Sequence, residues 1–130
     1  MKSRYGVLIL LLPLSVFVIL SGCTNYEQRD CMEVVGVDNR INCFSNLAAY
    51  AVMMRGNVQE GIDTCKGIFQ FRNQYRINDE GEAKRGAILC LLRLAQATRN
   101  RRFCDELEPG YFDDENARQQ IVLNCLSYVT

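Results

Sequence analysis

Seven cysteines in 130 residues constrain this chain more than any other feature. That density in one small domain means cross-links or a thiolate metal site, and the odd count leaves one cysteine over. Structural zinc sites gather ligands as Cys-x2–4-Cys pairs, whereas from Cys31 onward the closest cysteines stand twelve positions apart. No Cys-x-x-Cys occurs, so the thioredoxin-type redox motif is missing as well. The chain has no histidine, which removes the usual neutral-pH base and the commonest nitrogen ligand. Disulfides are therefore expected, with no metal and no cofactor. The length leaves room for one compact domain. Fifteen Lys and Arg against fifteen Asp and Glu give no basic excess, so binding of nucleic acid by counterion release is not expected.

The N-terminus is basic at Lys2 and Arg4 and then apolar from Val7 to Leu20. That order is the n-region and h-region of an export signal. The fourteen residues of the run make about 21 Å of helix, short of the roughly 30 Å hydrocarbon core, so a stable transmembrane span is the weaker reading. The run ends in Leu20-Ser21-Gly22-Cys23, which resembles the lipobox of bacterial lipoproteins. The resemblance implies that residues 1–22 are a signal peptide and that Cys23 carries the lipid. Residues 23–30 would then be a short polar tether, and residues 31–130 the domain. Thr24 after the cysteine, by resemblance to enterobacterial lipoproteins, implies delivery to the outer membrane. Several acyl chains together make a stable anchor where one chain is marginal. Beyond residue 22 there are 13 Lys and Arg against 15 Asp and Glu, a net −2, so the domain is not drawn to anionic lipid by charge.

Lipidation of Cys23 also settles the parity, leaving six cysteines in an exported domain, which suits three disulfides. The rest of the chain has helical periodicity. Phe44, Leu47, Ala48, Ala51 and Val52 recur at i, i+3, i+4, i+7 and i+8, with Asp38 or Asn39 as N-cap and Gly56 as the stop. Asn57 caps a second stripe through Ile62, Cys65 and Ile68. After a break at Asn78-Asp79-Glu80-Gly81, Ala83, Ala87, Cys90, Leu91 and Leu94 form the clearest stripe in the chain. A short segment around Phe103 and Leu107 ends at Pro109-Gly110, and a last helix starts at Asp113, Asp114 and Glu115, where acids suit the dipole. No segment alternates as a strand would. The fold class expected is all-α: a small disulfide-stapled bundle or short solenoid of helical hairpins. A Cys-x3-Leu-Ala pattern recurs at Cys43 and Cys90, a weak sign of a hairpin repeat.

Two cysteines on an antiparallel hairpin can meet when the turn lies midway between them. Cys31 and Cys43 centre on Val37, Cys65 and Cys90 beside Asn78, and Cys104 and Cys125 at Asp114, each at or just beyond a turn. Cys43–Cys65 and Cys90–Cys104 also centre on turns, but they strand Cys31 against Cys125. The expected pairs are Cys31–Cys43, Cys65–Cys90 and Cys104–Cys125, each stabilising by roughly 3 kcal/mol in the chain-entropy picture.

No nucleophile elbow, phosphate loop or zinc-protease motif is present. Carboxylates cluster at Asp105, Glu106 and Glu108 and again at Asp113, Asp114 and Glu115, which a cell-wall hydrolase could use as an acid pair. Capping and solvation are the simpler roles. Arg99, Arg101 and Arg102 cluster beside that run and suit bidentate contacts at an interface. Phe69, Phe71 and Tyr75 cannot all face one side of a helix, which makes Phe71 and Tyr75 candidates for a partner groove. The expected function is that of a lipid-anchored interaction or assembly factor, not an enzyme, with the membrane and an envelope protein as partners. Small lipoproteins of the pilotin type resemble it in size and anchoring alone. A cell-wall hydrolase or a small apolar-ligand binder is the alternative.

Overall fold

The structure, a computed structural model, describes residues 28–130. The expected signal segment 1–22, the expected lipidation residue Cys23 and the tether up to residue 27 lie outside the described residues. Everything described is helical or loop. Helix α1 spans Gln28–Met32, α2 Val37–Arg55, α3 Val58–Gln70, α4 Glu80–Thr98, α5 Arg102–Asp105 and α6 Glu115–Val129, with one 3-10 turn at Pro109–Tyr111. Helices α2, α3 and α4 run up, down and up against one another, and α4 also carries α5, the 3-10 turn and α6 on its remaining side. The architecture is a small bundle.

Sequence chemistry sets most of the boundaries. Helix α2 ends at Gly56, in the left-handed region at φ 65°, where its N–H and that of Asn57 bond the carbonyls of Val52 and Ala51. Asn57, Asp79 and Asp114 each accept a hydrogen bond from the N–H three residues on, capping α3, α4 and α6. Two starts differ from the sequence expectation. Helix α2 begins at Val37 with Gly36 as N-cap, so Asp38 sits in the first turn. Helix α4 begins at Glu80, because the Asp79 cap makes Gly81 part of its first turn.

The core runs along the stripes. Phe44, Ile62, Ile68, Leu91, Leu94, Phe103 and Leu107 are fully buried. Cys31–Cys43 joins α1 to α2 at a Cα–Cα distance of 5.4 Å, Cys65–Cys90 joins α3 to α4 at 5.4 Å, and Cys104–Cys125 joins α5 to α6 at 5.6 Å. Each bridge closes one consecutive helix pair. The α2–α3 and α4–α5 joints have no bridge, so packing and a few polar contacts, such as Lys66 with Glu106 and Arg102 with Gln59, hold the three pairs together.

Glycines let the helices approach closely at two points. A Cβ on Gly61 would run into the Val52 side chain and lie 3.3 Å from the Ala48 carbonyl oxygen. A Cβ on Gly86 would stand 2.9 Å from Ile41 Cγ2 and 3.1 Å from Ile68 Cγ2, between α2 and α3. Gly86→Val is therefore expected to cost about 2 kcal/mol by overpacking, whereas Gly81→Ala, whose Cβ would stand 3.2 Å from the capping Asp79 Oδ1 in the exposed first turn of α4, should change stability by less than about 1 kcal/mol. Urea unfolding of the two variants checks this.

Candidate functional site

The sequence candidates fall at two opposite ends of the bundle. Helices α2 and α4 have 19 residues each, so those ends lie about 28 Å apart. One end holds α1, the α1–α2 loop and the segment between α3 and α4. The other holds the α2–α3 turn and the α4–α5 corner.

Phe71 belongs to the first end. It caps α3 and stays 45% exposed, as a candidate contact residue should. Tyr75 does not. It is buried, stacked on Phe44 with ring centroids 4.1 Å apart, and meets Phe71 edge-on at 6.0 Å. The helical pattern stops at Gln70, and the next residues fold back through hydrogen bonds from Tyr75 N–H to the Phe71 carbonyl and from Ile77 N–H to the Arg72 carbonyl. The turn puts Tyr75 and Ile77 inside, so Tyr75 is a core residue and not an interaction residue. Burial raises its pKa above the ordinary tyrosine value. Phe69 is half-buried, edge-on to Tyr111, with the Arg72 guanidinium 4.4 Å from its ring centroid.

Two arginines lock this end. Arg40 donates to the carbonyls of Val34 and Arg76 at 3.1 and 2.7 Å, and Arg76 donates back to the Met32 carbonyl at 3.0 Å. With Cys31–Cys43 they fix the point where the chain enters the domain.

Arg99, Arg101 and Arg102 come together at the opposite end, all exposed. Arg99 ends α4 in the left-handed region at φ 55°. Arg101 Nε lies 3.6 Å from an Asp105 oxygen, and Arg102 donates to the Gln59 side chain at 2.6 Å, which ties the α4–α5 corner to the start of α3. Met53 and Met54, at the end of α2, are 58% and 71% exposed beside the same turn. Both lie off the helical stripe through Ala51 and Val52, and that phase is the signal in the sequence that turns them outward. Unbranched thioethers adapt to a partner's shape, and arginine is enriched in interfaces. Cations and adaptable apolar side chains at one end of a rigid bundle make this the candidate interaction site.

The acidic run is mostly engaged. Lys66 Nζ, on α3, lies 3.0 Å from Glu106 and 2.7 Å from Glu108, and those carboxylates hold its pKa above the ordinary lysine value. Asp105 faces Arg101, Asp114 caps α6, and Glu115 pairs with Arg118 at 2.9 Å. Beside the Lys66 group Tyr111 is buried, and its hydroxyl makes no hydrogen bond. Burial, with Glu108 nearby, pushes its pKa up to about 12. A tyrosine favoured in its neutral form stabilises fully below its unfolded value near 10, and that contribution is lost as pH rises toward 12. Urea midpoints are expected to fall across that interval. Tyr111→Phe should flatten the fall and, by removing an orphaned hydroxyl, hold or raise neutral-pH stability by up to about 1 kcal/mol.

Between α2 and α4 lies an open depression of about 280 Å³, lined by Asp38, Ile41, Asn42, Glu82, Arg85, Gly86 and Leu89. Its walls mix charge with apolar surface. Among the described residues no group of three or more His, Cys, Asp or Glu side chains converges, and no helix is long and apolar enough to cross a membrane. No protein-family model, curated protein or solved structure matches this chain.

Proposed function

We propose that the chain is a lipid-anchored, disulfide-stapled helical module of the cell envelope that binds another envelope protein. It would serve as an assembly or accessory factor of a complex such as a secretion or pilus system. The observation that carries the reading is the set of three disulfides, one inside each consecutive helix pair. Such bridges persist in an oxidising compartment, and the lipobox-like Leu20-Ser21-Gly22-Cys23 after an apolar run supplies a route there. Thr24 after the lipidated Cys23 favours the periplasmic face of the outer membrane in a diderm bacterium. The partner surface is the end bearing Met53, Met54, Arg99, Arg101 and Arg102. A rigid bundle with its entry point locked by Arg40 and Arg76 suits presentation of a fixed surface.

Affinity capture of the intact protein from its own membranes tests the reading. One envelope protein is expected to co-purify with it, and to be lost when Met54→Asp is combined with Arg102→Glu. Palmitate labelling should disappear in a Cys23→Ala form. Failure to capture any envelope protein with either the intact or the Cys23→Ala form would overturn the interaction reading, and labelling retained without Cys23 would refute the anchor.

A further inference from the structure

Two exposed apolar side chains at the chain-entry end lie outside the proposed partner surface. Val35, in the loop between α1 and α2, is 86% exposed, and Phe71, at the end of α3, is 45% exposed. The segments carrying them are joined, because Arg40 donates to both Val34 and Arg76, and Arg76 donates to Met32. They form one tip beside α1, which Cys31–Cys43 pins in place.

We infer that this tip rests in the interfacial layer of the membrane and so fixes the orientation of the domain. The inference depends on lipidation at Cys23 as proposed above. The length of chain between anchor and domain argues for it. From Cys23 to Gln28 is five residues, a reach of at most about 18 Å even when fully extended. The opposite end of the bundle lies about 28 Å beyond the entry point, so it cannot turn down onto the bilayer. The surface that meets lipid must belong to the entry end or to a flank. The flanks also expose Leu89, Leu123 and Tyr128, but the entry tip stands next to the tether and offers an aromatic and a β-branched side chain to the headgroup boundary, where such residues sit favourably.

Charge gives no competing attraction. The segments that form the tip carry equal charge of each sign, Asp30, Glu33, Asp38 and Asp79 against Arg29, Arg40, Arg72 and Arg76. Contact is therefore apolar and insensitive to salt. Two side chains are far too little to hold the domain, so the acyl chains supply the affinity and the tip supplies the orientation. The partner end, with Met53, Met54 and the arginines, then points away from the membrane.

The chain has no tryptophan, so each substitution creates a sole tryptophan whose emission can be excited apart from that of the tyrosines. Full-length acylated Val35→Trp, Phe71→Trp and Met54→Trp forms are placed in phosphatidylethanolamine–phosphatidylglycerol vesicles with brominated acyl chains. Val35→Trp and Phe71→Trp are expected to lose fluorescence through bromine quenching and to shift to the blue, unchanged at ~0.5 M salt. Met54→Trp should keep the emission it has in unbrominated vesicles. Val35 is the decisive position, since its exposure makes the variant harmless to folding. An acylated protein with no quenching at Val35→Trp, equal quenching at all three positions, or quenching abolished by salt overturns this inference alone. A mass spectrum without acyl chains on Cys23 overturns the anchor, and the inference with it.

Discussion

Replacing Cys65 and Cys90 together by alanine is expected to lower the free energy of unfolding by about 3 kcal/mol. This bridge closes the longest loop, 25 positions against 21 for Cys104–Cys125 and 12 for Cys31–Cys43. Its removal should cost the most of the three, with the short Cys31–Cys43 loop costing a few tenths of a kcal/mol less. The three losses together approach 10 kcal/mol, comparable with the whole stability of a domain this size. A chain with all six cysteines reduced is accordingly expected to be unfolded at room temperature. Urea titrations followed by far-UV circular dichroism, with and without reductant, measure both effects. A reduced chain that kept a cooperative transition with an unchanged midpoint would show that packing alone supports the bundle.

Phe44→Ala is expected to cost about 4 kcal/mol, among the largest losses from a single side-chain truncation. Phe44 is fully buried, stacks on Tyr75, and sits one residue past the Cys31–Cys43 bridge. Removing its ring leaves a cavity that the bridge prevents from collapsing, and it deprives Tyr75 of the face that holds the 71–77 turn inside. Phe71→Ala, which opens no cavity because the ring is already half in solvent, should cost less than about 1 kcal/mol. The contrast between these two phenylalanines, measured by the same urea titration, tests the assignment of one to the core and the other to the surface.

How far the sequence could be read depended on the range of the interaction. The stripes of α2, α3 and α4 were legible because each repeats its apolar residues at helical spacing, and Asn57 and Asp114 were legible as caps because capping acts over three residues. The disulfide pairs could be argued from turn midpoints because each bridge spans one consecutive pair of helices. Tyr75 was not legible. Its burial depends on a turn containing Arg76 at φ 56°, a left-handed non-glycine residue stabilised by Arg40 from 36 positions away. Nothing local marks such a residue. The same limit applies to Lys66, whose carboxylate partners lie 40 or more positions on, and to Arg102, whose contact with Gln59 spans 43. The candidate interaction site was half legible: the arginines stood out as a cluster, whereas Met53 and Met54 lie off the α2 stripe and no motif singles them out.

The central claim is that this is an exported helical domain, anchored at Cys23 and closed by three local bridges. The intact, non-reduced mass of the protein taken from its own membranes tests it most directly, with peptide mapping of the same sample. The account predicts a chain beginning at an acylated Cys23, with Cys31, Cys43, Cys65, Cys90, Cys104 and Cys125 all oxidised in the pairs 31–43, 65–90 and 104–125. A chain that retains Met1 and carries seven free thiols would contradict it.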